Sequence, residues 1–357
     1  MMIEKIKKSL LWDITLQCNL QCRHCYNSDK NDLTEEALDI KNNIKLIIDR
    51  IEKLDINHIH LLGGEPLLAE GLFDLLDYAG SKDIRISVNT NGMLLNSTMI
   101  KKLIESKISQ ITISLDGASA QANDMIRGNG TFEIISKNMK DAASAIKASG
   151  SGIIMQVATV VTKQNIKEMN RLPYVLKNLG VYNLNILKLY ECGSANQNED
   201  MLCISDEEYI AALEKLLLEC YRNKIFIQID CKPKVLQMIA NKYGFSVALD
   251  SVFNRCPASD KILYMNDSGY IYPCAPIAHS MKSGKHTTMK LANIMDENSF
   301  NLLSAYKSMV QQNLKSNTAT SRICSSCEFK DQCNGCAICY NGYDKLCEVA
   351  QKVLLPA

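Results

Sequence analysis

The chain has 357 residues, 46% hydrophobic and 22% charged, with a formal net charge of +1. That balance suits a globular protein with one sizeable domain and a smaller one, and it excludes the basic surplus that draws a protein to nucleic acid. No apolar run approaches the roughly 18 residues of a membrane span, and the N-terminus lacks the apolar core and small-residue cleavage site of a signal peptide, so a cytoplasmic protein with no membrane partner is expected.

Leu11–Leu16 reads as a short strand. Glu35–Leu54 reads as a helix, because Ile40, Ile44, Ile47, Ile51 and Leu54 recur by fours and threes and Thr34 stands where an N-cap belongs. His58–Leu62 is the next strand, closed by Gly63-Gly64, and Leu72–Ala79 the next helix. The alternation continues with a strand over Ile84–Val88 ending in Asn89-Thr90-Asn91-Gly92, a helix over Ser97–Glu105, a strand over Gln110–Leu115 ending at Asp116-Gly117, and a helix over Glu133–Ala148. Ile153–Val161 and Asn183–Tyr190 are strands separated by a helix over Lys167–Leu179. A long helix over Asp206–Arg222 and a strand over Ile225–Ile229 complete the series.

Repeated strand–helix units imply parallel strands with right-handed crossovers. The expected fold is therefore α/β, a partial (β/α)6 TIM-like barrel over residues 1–240. The polar and glycine-bearing segments follow strands, at the end of the sheet where barrel enzymes build their sites. Beyond residue 240 the alternation stops and Gly, Pro, Asn and Cys rise, so residues 241–357 are expected to form a small Cys-rich domain.

Fifteen cysteines, an odd number in short-spaced clusters, argue for metal binding in a reducing compartment and against a disulfide framework. The first cluster is Cys18-x3-Cys22-x2-Cys25, directly after the first strand. Three thiolates at this spacing suit three irons of a [4Fe–4S] cube and leave the fourth iron open. A zinc site would want a fourth ligand, and His24 is poorly placed to join its own neighbours.

The run Cys18-Asn19-Leu20-Gln21-Cys22-Arg23-His24-Cys25-Tyr26 resembles the signature of the radical S-adenosylmethionine (SAM) superfamily. The resemblance implies an open iron that chelates the amine and carboxylate of SAM, and one-electron cleavage of SAM to a 5′-deoxyadenosyl radical, with the protein positioning the cofactor and excluding solvent. It also implies roles along the chain. Tyr26 would flank SAM, and Gly63-Gly64-Glu65-Pro66 would meet its amino group, the glycines allowing close backbone approach and Glu65 accepting from the ammonium. Asn91 and Ser114 would contact the ribose and carboxylate. Arg127, in Arg127-Gly128-x-Gly130-Thr131-Phe132, would pair with the carboxylate through its planar fork.

The C-terminal cysteines are Cys256, Gly269-x4-Cys274, Cys324-x2-Cys327-x5-Cys333, Cys336, Cys339 and Cys347. They resemble the SPASM domain, a two-cluster extension of peptide- and protein-modifying radical SAM enzymes. A zinc ribbon on Cys324, Cys327, Cys333 and Cys336 is the alternative, and it would leave further cysteines unemployed. The family pattern puts Cys256, Cys274 and Cys336 on an inner [4Fe–4S] cluster and Cys324, Cys327, Cys333 and Cys347 on an outer one. The family spaces the last pair of the run by three residues. Here Cys333 and Cys336 are separated by two, and Cys339 is extra, so Cys339 can replace Cys336. No cysteine shortly follows Cys256, so the inner cluster either keeps an open iron or recruits Cys339.

The resemblance thus implies SAM, three [4Fe–4S] clusters, a reductant such as flavodoxin or ferredoxin, and hydrogen abstraction from a peptide or protein. The leading expectation is a ribosomal-peptide maturase forming a thioether or carbon–carbon crosslink, or epimerising a residue. For epimerisation, Cys192 past the sixth strand is the candidate hydrogen donor. Residues 1–10 leave no room for an N-terminal peptide-recognition domain, so a separate recognition protein or direct binding by the barrel is expected. The alternatives are radical oxidation of a small molecule such as a sugar or aminocyclitol, and a non-catalytic Fe–S protein with a vestigial SAM site. Formylglycine formation is disfavoured, because Ala275 stands where those relatives carry an aspartate base. His58, His60, Trp12, Cys203, Cys220 and Cys231 are expected to be structural.

Overall fold

A computed structural model describes residues 8–28, 36–190, 192–229, 231–245, 261–282, 291–303, 327–329 and 343–354. Strands β1 (Ser9–Thr15), β2 (His58–Gly63), β3 (Arg85–Thr90), β4 (Gln110–Ser114), β5 (Ile154–Val161), β6 (Asn183–Lys188) and β7 (Phe226–Ile229) lie side by side in chain order, all parallel. Between them run α1 (Ile40–Lys53), α2 (Leu72–Ser81), α3 (Ser97–Glu105), α4 (Ala120–Arg127), α5 (Thr131–Ser149), α6 (Leu172–Asn178), the short α7 (Ser194–Gln197) and α8 (Glu199–Leu202), and α9 (Asp206–Asn223). Helix α10 (Pro233–Tyr243) comes after β7. This is the expected partial α/β barrel.

Three sequence expectations need correction. Helix α1 starts at Ile40 and not at Glu35. Asp39 caps it by accepting from the Asn42 N–H, and Thr34 lies outside the described residues. Pro173 sits in the first turn of α6, so the single helix expected over Lys167–Leu179 divides into a 3-10 segment, Ile166–Arg171, and α6. Helix α4 is an element the periodicity did not reveal, although Ser119 caps its start and Gly128 ends it.

The sheet also extends past β1. Strand β8 (Ile262–Met265) pairs parallel with β1, and β9 (Tyr270–Tyr272) and β10 (Ala292–Asn293) continue it antiparallel, giving a ten-stranded sheet. Helix α11 (Ala275–Lys282) comes after β9, directly past Cys274. Helix α12 (Tyr343–Leu354) packs on α9 and α10.

The two faces of the sheet differ. Trp12, Ile59, Leu61, Val88, Ile111, Ile113, Val157, Leu184 and Ile186 are fully buried in one core with the apolar faces of the helices. Ile135, Met139, Ala142 and Ile146 of α5 step by four, three and four into that core, each large side chain contributing about 1.5–3 kcal/mol of burial. The inner face is polar. Gln110 Nε2 donates to Gln156 Oε1 and Gln156 Nε2 to Gln228 Oε1, both at 3.0 Å, and His58 shares a 2.7 Å hydrogen bond with the Ser87 hydroxyl. Strands covered on both faces normally read as continuous apolar runs, so alternation in a parallel sheet marks an inner face kept for chemistry. The His58 and His60 rings are tilted at 40° with centroids 4.1 Å apart, and burial lowers their pKa values to about 3 and about 4. They are neutral structural residues of this inner layer.

Candidate active site

The loop carrying Cys18, Cys22 and Cys25 leaves the C-terminal end of β1, and two other strand ends fix its backbone. Gly64 donates its N–H to the Thr15 carbonyl and Glu65 donates to the Gln17 carbonyl, each at 2.7 Å. A Cβ on Gly64 would stand 2.2 Å from the Gln17 oxygen, so only glycine permits this approach. From the far side, beyond β6, Ser194 donates its N–H to the Cys25 carbonyl at 2.9 Å, and a Cβ on Gly193 would fall 2.3 Å from the same oxygen.

Glu65 is fully buried, and burial raises its pKa. Its carboxylate accepts from Thr90 Oγ1 at 2.8 Å, the Asn91 N–H at 2.7 Å and the Leu67 N–H at 3.1 Å. The side chain therefore ties the end of β2 to the end of β3, and in this structure it faces protein donors. Asn91 in turn holds the loop: its Nδ2 donates to Asn19 Oδ1 at 2.7 Å and lies 3.8 Å from Cys18 Sγ.

The sulfurs meet donors on several sides. The Leu20 N–H reaches Cys18 Sγ at 3.4 Å, and Arg127 Nη1 reaches Cys22 Sγ at 3.9 Å. Burial pushes the Cys22 thiol up to about 11 in spite of Arg127, and burial raises Cys25 against the Asn27 backbone N–H. Bare, these thiols hold their protons. Iron would displace them, and donors already facing the sulfurs would then strengthen. The residues present fit a [4Fe–4S] group held by Cys18, Cys22 and Cys25. Among the described residues no three His, Cys, Asp or Glu side chains gather as ligands of one ion; thiolates on separate irons of a cube stand farther apart than ligands sharing an ion.

Asp116, at the end of β4, is a site residue that sequence reasoning passed over. It is fully buried, and its Oδ2 meets His24 Nε2 at 2.6 Å and Arg127 Nε at 2.7 Å. Its Oδ1 accepts from the Val160 N–H at 2.8 Å. Burial alone would raise its pKa, but Arg127 first and then His24 hold it down to about 2. Arg127, predicted to pair with a SAM carboxylate, is here buried against Asp116 and Cys22. The Arg23 N–H also donates to the Ile126 carbonyl at 2.9 Å, so the loop is fastened to α4 by main chain as well. An aspartate directly after an alternating strand, at the end of the sheet that carries the triad loop, was the available signal.

Asp13, fully buried on β1, receives Tyr26 Oη at 3.2 Å, Asn27 Nδ2 at 2.7 Å and Tyr264 Oη at 2.5 Å. Tyr26 is thus engaged beneath the loop. Ser114 is half-buried at the end of β4. Cys192 is buried beside Gly193, close to Tyr26. Cys220 is a core thiol that burial pushes up to about 12, and Cys231 is also buried. Cys274 and Cys327 are half-buried, and Cys347 is buried on α12 among core side chains. Cys256, Cys324, Cys333, Cys336 and Cys339 lie outside the described residues.

Residues 12–172 match the Radical SAM superfamily model. Over 336 residues the chain is 23% identical to an AdoMet-dependent heme synthase of Methanosarcina barkeri, covering 92% of this chain and 90% of that one. It is 26% identical over 330 residues to the mycofactocin maturase MftC of Mycolicibacterium smegmatis, covering 91% of this chain and 76% of the relative. Among solved structures it resembles SuiB of Streptococcus suis bound to the precursor peptide SuiA, with TM-score 0.68, 17% identity, and coverage of 93% and 72%. It also resembles anSMEcpe with bound AdoMet and a peptide, with TM-score 0.68, 21% identity, and coverage of 98% and 97%. These two likenesses establish the shared fold. The triad loop, the Gly64 contact that fixes it and the buried Arg127 all fall inside the matched segment, and residues 12–172 form a radical SAM domain in an enzyme related to peptide maturases and heme synthases.

Proposed function

We propose that the chain is a peptide maturase: it holds a [4Fe–4S] cluster on Cys18, Cys22 and Cys25, binds SAM there, and abstracts hydrogen from a ribosomal peptide. The observation that carries the reading is the triad loop, whose sulfurs meet the Leu20, Asn91 and Arg127 donors while glycine contacts immobilise its backbone. When bound, the cluster and SAM supply one-electron reductive cleavage of SAM. The chain's own residues orient the site: Gly63 and Gly64 offer backbone at close range, Asn91, Ser114 and Arg127 line it, and Tyr26 closes its floor. The similarity to MftC along most of the chain supports the same substrate class.

Residues 241–357 act as the auxiliary-cluster domain in this reading. Cys256, Cys274 and either Cys336 or Cys339 hold an inner cluster, and Cys324, Cys327, Cys333 and Cys347 an outer one. A flavodoxin or ferredoxin serves as reductant, a separate recognition protein delivers the peptide, and the enzyme works in the cytoplasm; among the described residues no helix is long and apolar enough to cross a membrane. Cys192, buried next to the loop, is the hydrogen donor if the product is an epimer. Ala275, a methyl-bearing residue opening α11, weighs against formylglycine chemistry.

The heme synthase likeness, which spans 90% of that relative, supports a second reading in which the substrate is a porphyrin-type macrocycle. One anaerobic experiment separates the two. Reconstituted enzyme with SAM and dithionite is offered candidate precursor peptides and, separately, iron porphyrins bearing carboxylate side chains. With the reaction run in D2O, a peptide mass change, either loss of a whole number of hydrogens or gain of one deuterium at an epimerised residue, dependent on Cys18, Cys22 and Cys25, supports the maturase. Turnover of the macrocycle with every peptide unchanged overturns it.

A further inference from the structure

Two segments far apart in sequence meet at Asp13. Tyr26 and Asn27, directly after the third cysteine of the triad, donate to its carboxylate from one side. Tyr264 of β8 donates from the other, across 251 residues of sequence. Tyr264 does not act alone. The Tyr26 ring lies 4.5 Å from the His279 ring on α11, and Tyr264 lies 5.3 Å from His279 and 6.0 Å from Tyr272. His279 and Tyr272 bracket the turn that carries Cys274. The remaining ties of this arm run through the β1–β8 ladder and through more exposed bonds, such as Arg50 Nη1 to the Ile294 carbonyl at 2.8 Å and Lys53 to Glu297 at 2.7 Å. The contact at Asp13 is fully buried and, with the Tyr26–His279 ring contact beside it, meets the residues that directly follow the triad.

We propose that Asp13 is a positioning residue that joins the triad loop to the C-terminal arm: its carboxylate latches β8 and the Cys274 turn onto Tyr26, and its charge acts on the group held by the triad. A buried carboxylate needs its acceptor sites filled, and Asp13 Oδ2 takes both Asn27 and Tyr264, so removing a donor weakens its satisfaction and the segments that bear the donors are held together. A fixed negative charge in a poorly solvated site opposes adding an electron to a neighbouring metal group. Asp13 holds Tyr26 and Asn27, the two residues directly after Cys25, at 3.2 and 2.7 Å, so its charge stands beside the triad loop. The second part of the proposal rests on the reading of the triad as cluster ligands; the first does not.

Two conservative variants of the full chain separate the parts. Tyr264→Phe removes one hydroxyl and keeps the carboxylate. Hydrogen–deuterium exchange of the metal-free protein should then rise roughly tenfold in Ile262–Met265 and Tyr270–Tyr272, with β3 to β5 unchanged. Asp13→Asn keeps the shape and removes the charge. In reconstituted protein the triad signal, identified by its absence from a Cys18/Cys22/Cys25→Ala variant, should reduce at a less negative potential than in the parent, while Tyr264→Phe should not move it in that direction. Unchanged exchange in Tyr264→Phe overturns the latch, and an Asp13→Asn potential equal to the parent's overturns the electrostatic role. Should the parent bind no iron at the triad, the cluster reading fails, and the exchange result still decides the latch.

Discussion

Asp116 and Asp13 are both fully buried carboxylates beside the same cysteine loop, yet they are partnered differently. Asp116 faces a guanidinium and an imidazole, Arg127 and His24, and its charge is balanced where it stands. Asp13 receives two phenols and an amide. The partners of Asp116 belong to the matched radical SAM segment, whereas Tyr264 reaches Asp13 from the C-terminal arm. One flank fastens the loop to the barrel; the other fastens the barrel to its C-terminal arm. The loop can therefore be loosened in two distinguishable ways.

The largest effect is expected on the ion-paired flank. Asp116→Asn leaves the Arg127 guanidinium buried without its counter-charge and should lower stability by about 3–5 kcal/mol in urea unfolding of the metal-free protein. An unfolding midpoint equal to the parent's would remove the ion pair from the account. The same pair gives a pH signature. The folded pKa of Asp116 is lowered to about 2, against about 3.9 when unfolded, so its contribution is complete above about pH 4 and fades as pH falls toward 2. The difference between parent and Asp116→Asn should shrink over that interval.

Gly64→Ala attacks the backbone seam shared by both flanks. Its Cβ would meet the Gln17 carbonyl, a main-chain atom with little room to move, so a loss of about 1–3 kcal/mol or more is expected, together with poorer iron retention. Normal stability with normal iron uptake would show that the seam can open without harm. On the neutral flank, Tyr264→Phe should cost about 1–3 kcal/mol, less than Asp116→Asn, because Asp13 Oδ2 loses one of two donors, Asn27 remaining, and no unbalanced cation is created. A reversal of that order would overturn the contrast between the flanks.

A separate effect belongs to a region outside both. His58 and His60 stay neutral when folded, with pKa values near 3 and 4, and an unfolded histidine titrates near 6.5. Below pH 6.5 the unfolded chain takes up protons that the folded chain refuses, so stability should fall by up to about 1.4 kcal/mol per pH unit for each histidine. Unfolding at pH 7.5 and 5.5 should show this slope, and His58→Asn should cut it to about half, the share of His60.

Much of this was legible in the sequence, and the reason is locality. The triad spans eight residues, and the Gly63–Pro66 segment, Asn91 and Ser114 each come at or just after a strand end, so strand order alone brings them to one end of the sheet. The helix Ser97–Glu105 was readable to the residue from its own periodicity and cap. The hidden features depend on pairs distant in sequence. His24 meets Asp116 across 92 residues, and Tyr264 meets Asp13 across 251. Nothing in a single aspartate at a strand end says which distant donor will reach it. Strand β8 was hidden for a related reason: four residues are too few to show a period, and only its neighbour β1 makes it a strand. Helix α4 had both caps in plain view, but its eight residues are too short for a clear apolar stripe.

The central claim is that the loop fixed between Asp116 and Asp13 holds a redox-active iron–sulfur group that acts on SAM. The most direct test is anaerobic reconstitution with iron and sulfide, iron counting and a SAM-cleavage assay under strong reductant, comparing the parent with a Cys18/Cys22/Cys25→Ala variant. The account predicts that the variant holds about four irons fewer than the parent and that only the parent releases 5′-deoxyadenosine. Equal iron in the two proteins, or 5′-deoxyadenosine from the variant at the parent's rate, would contradict it.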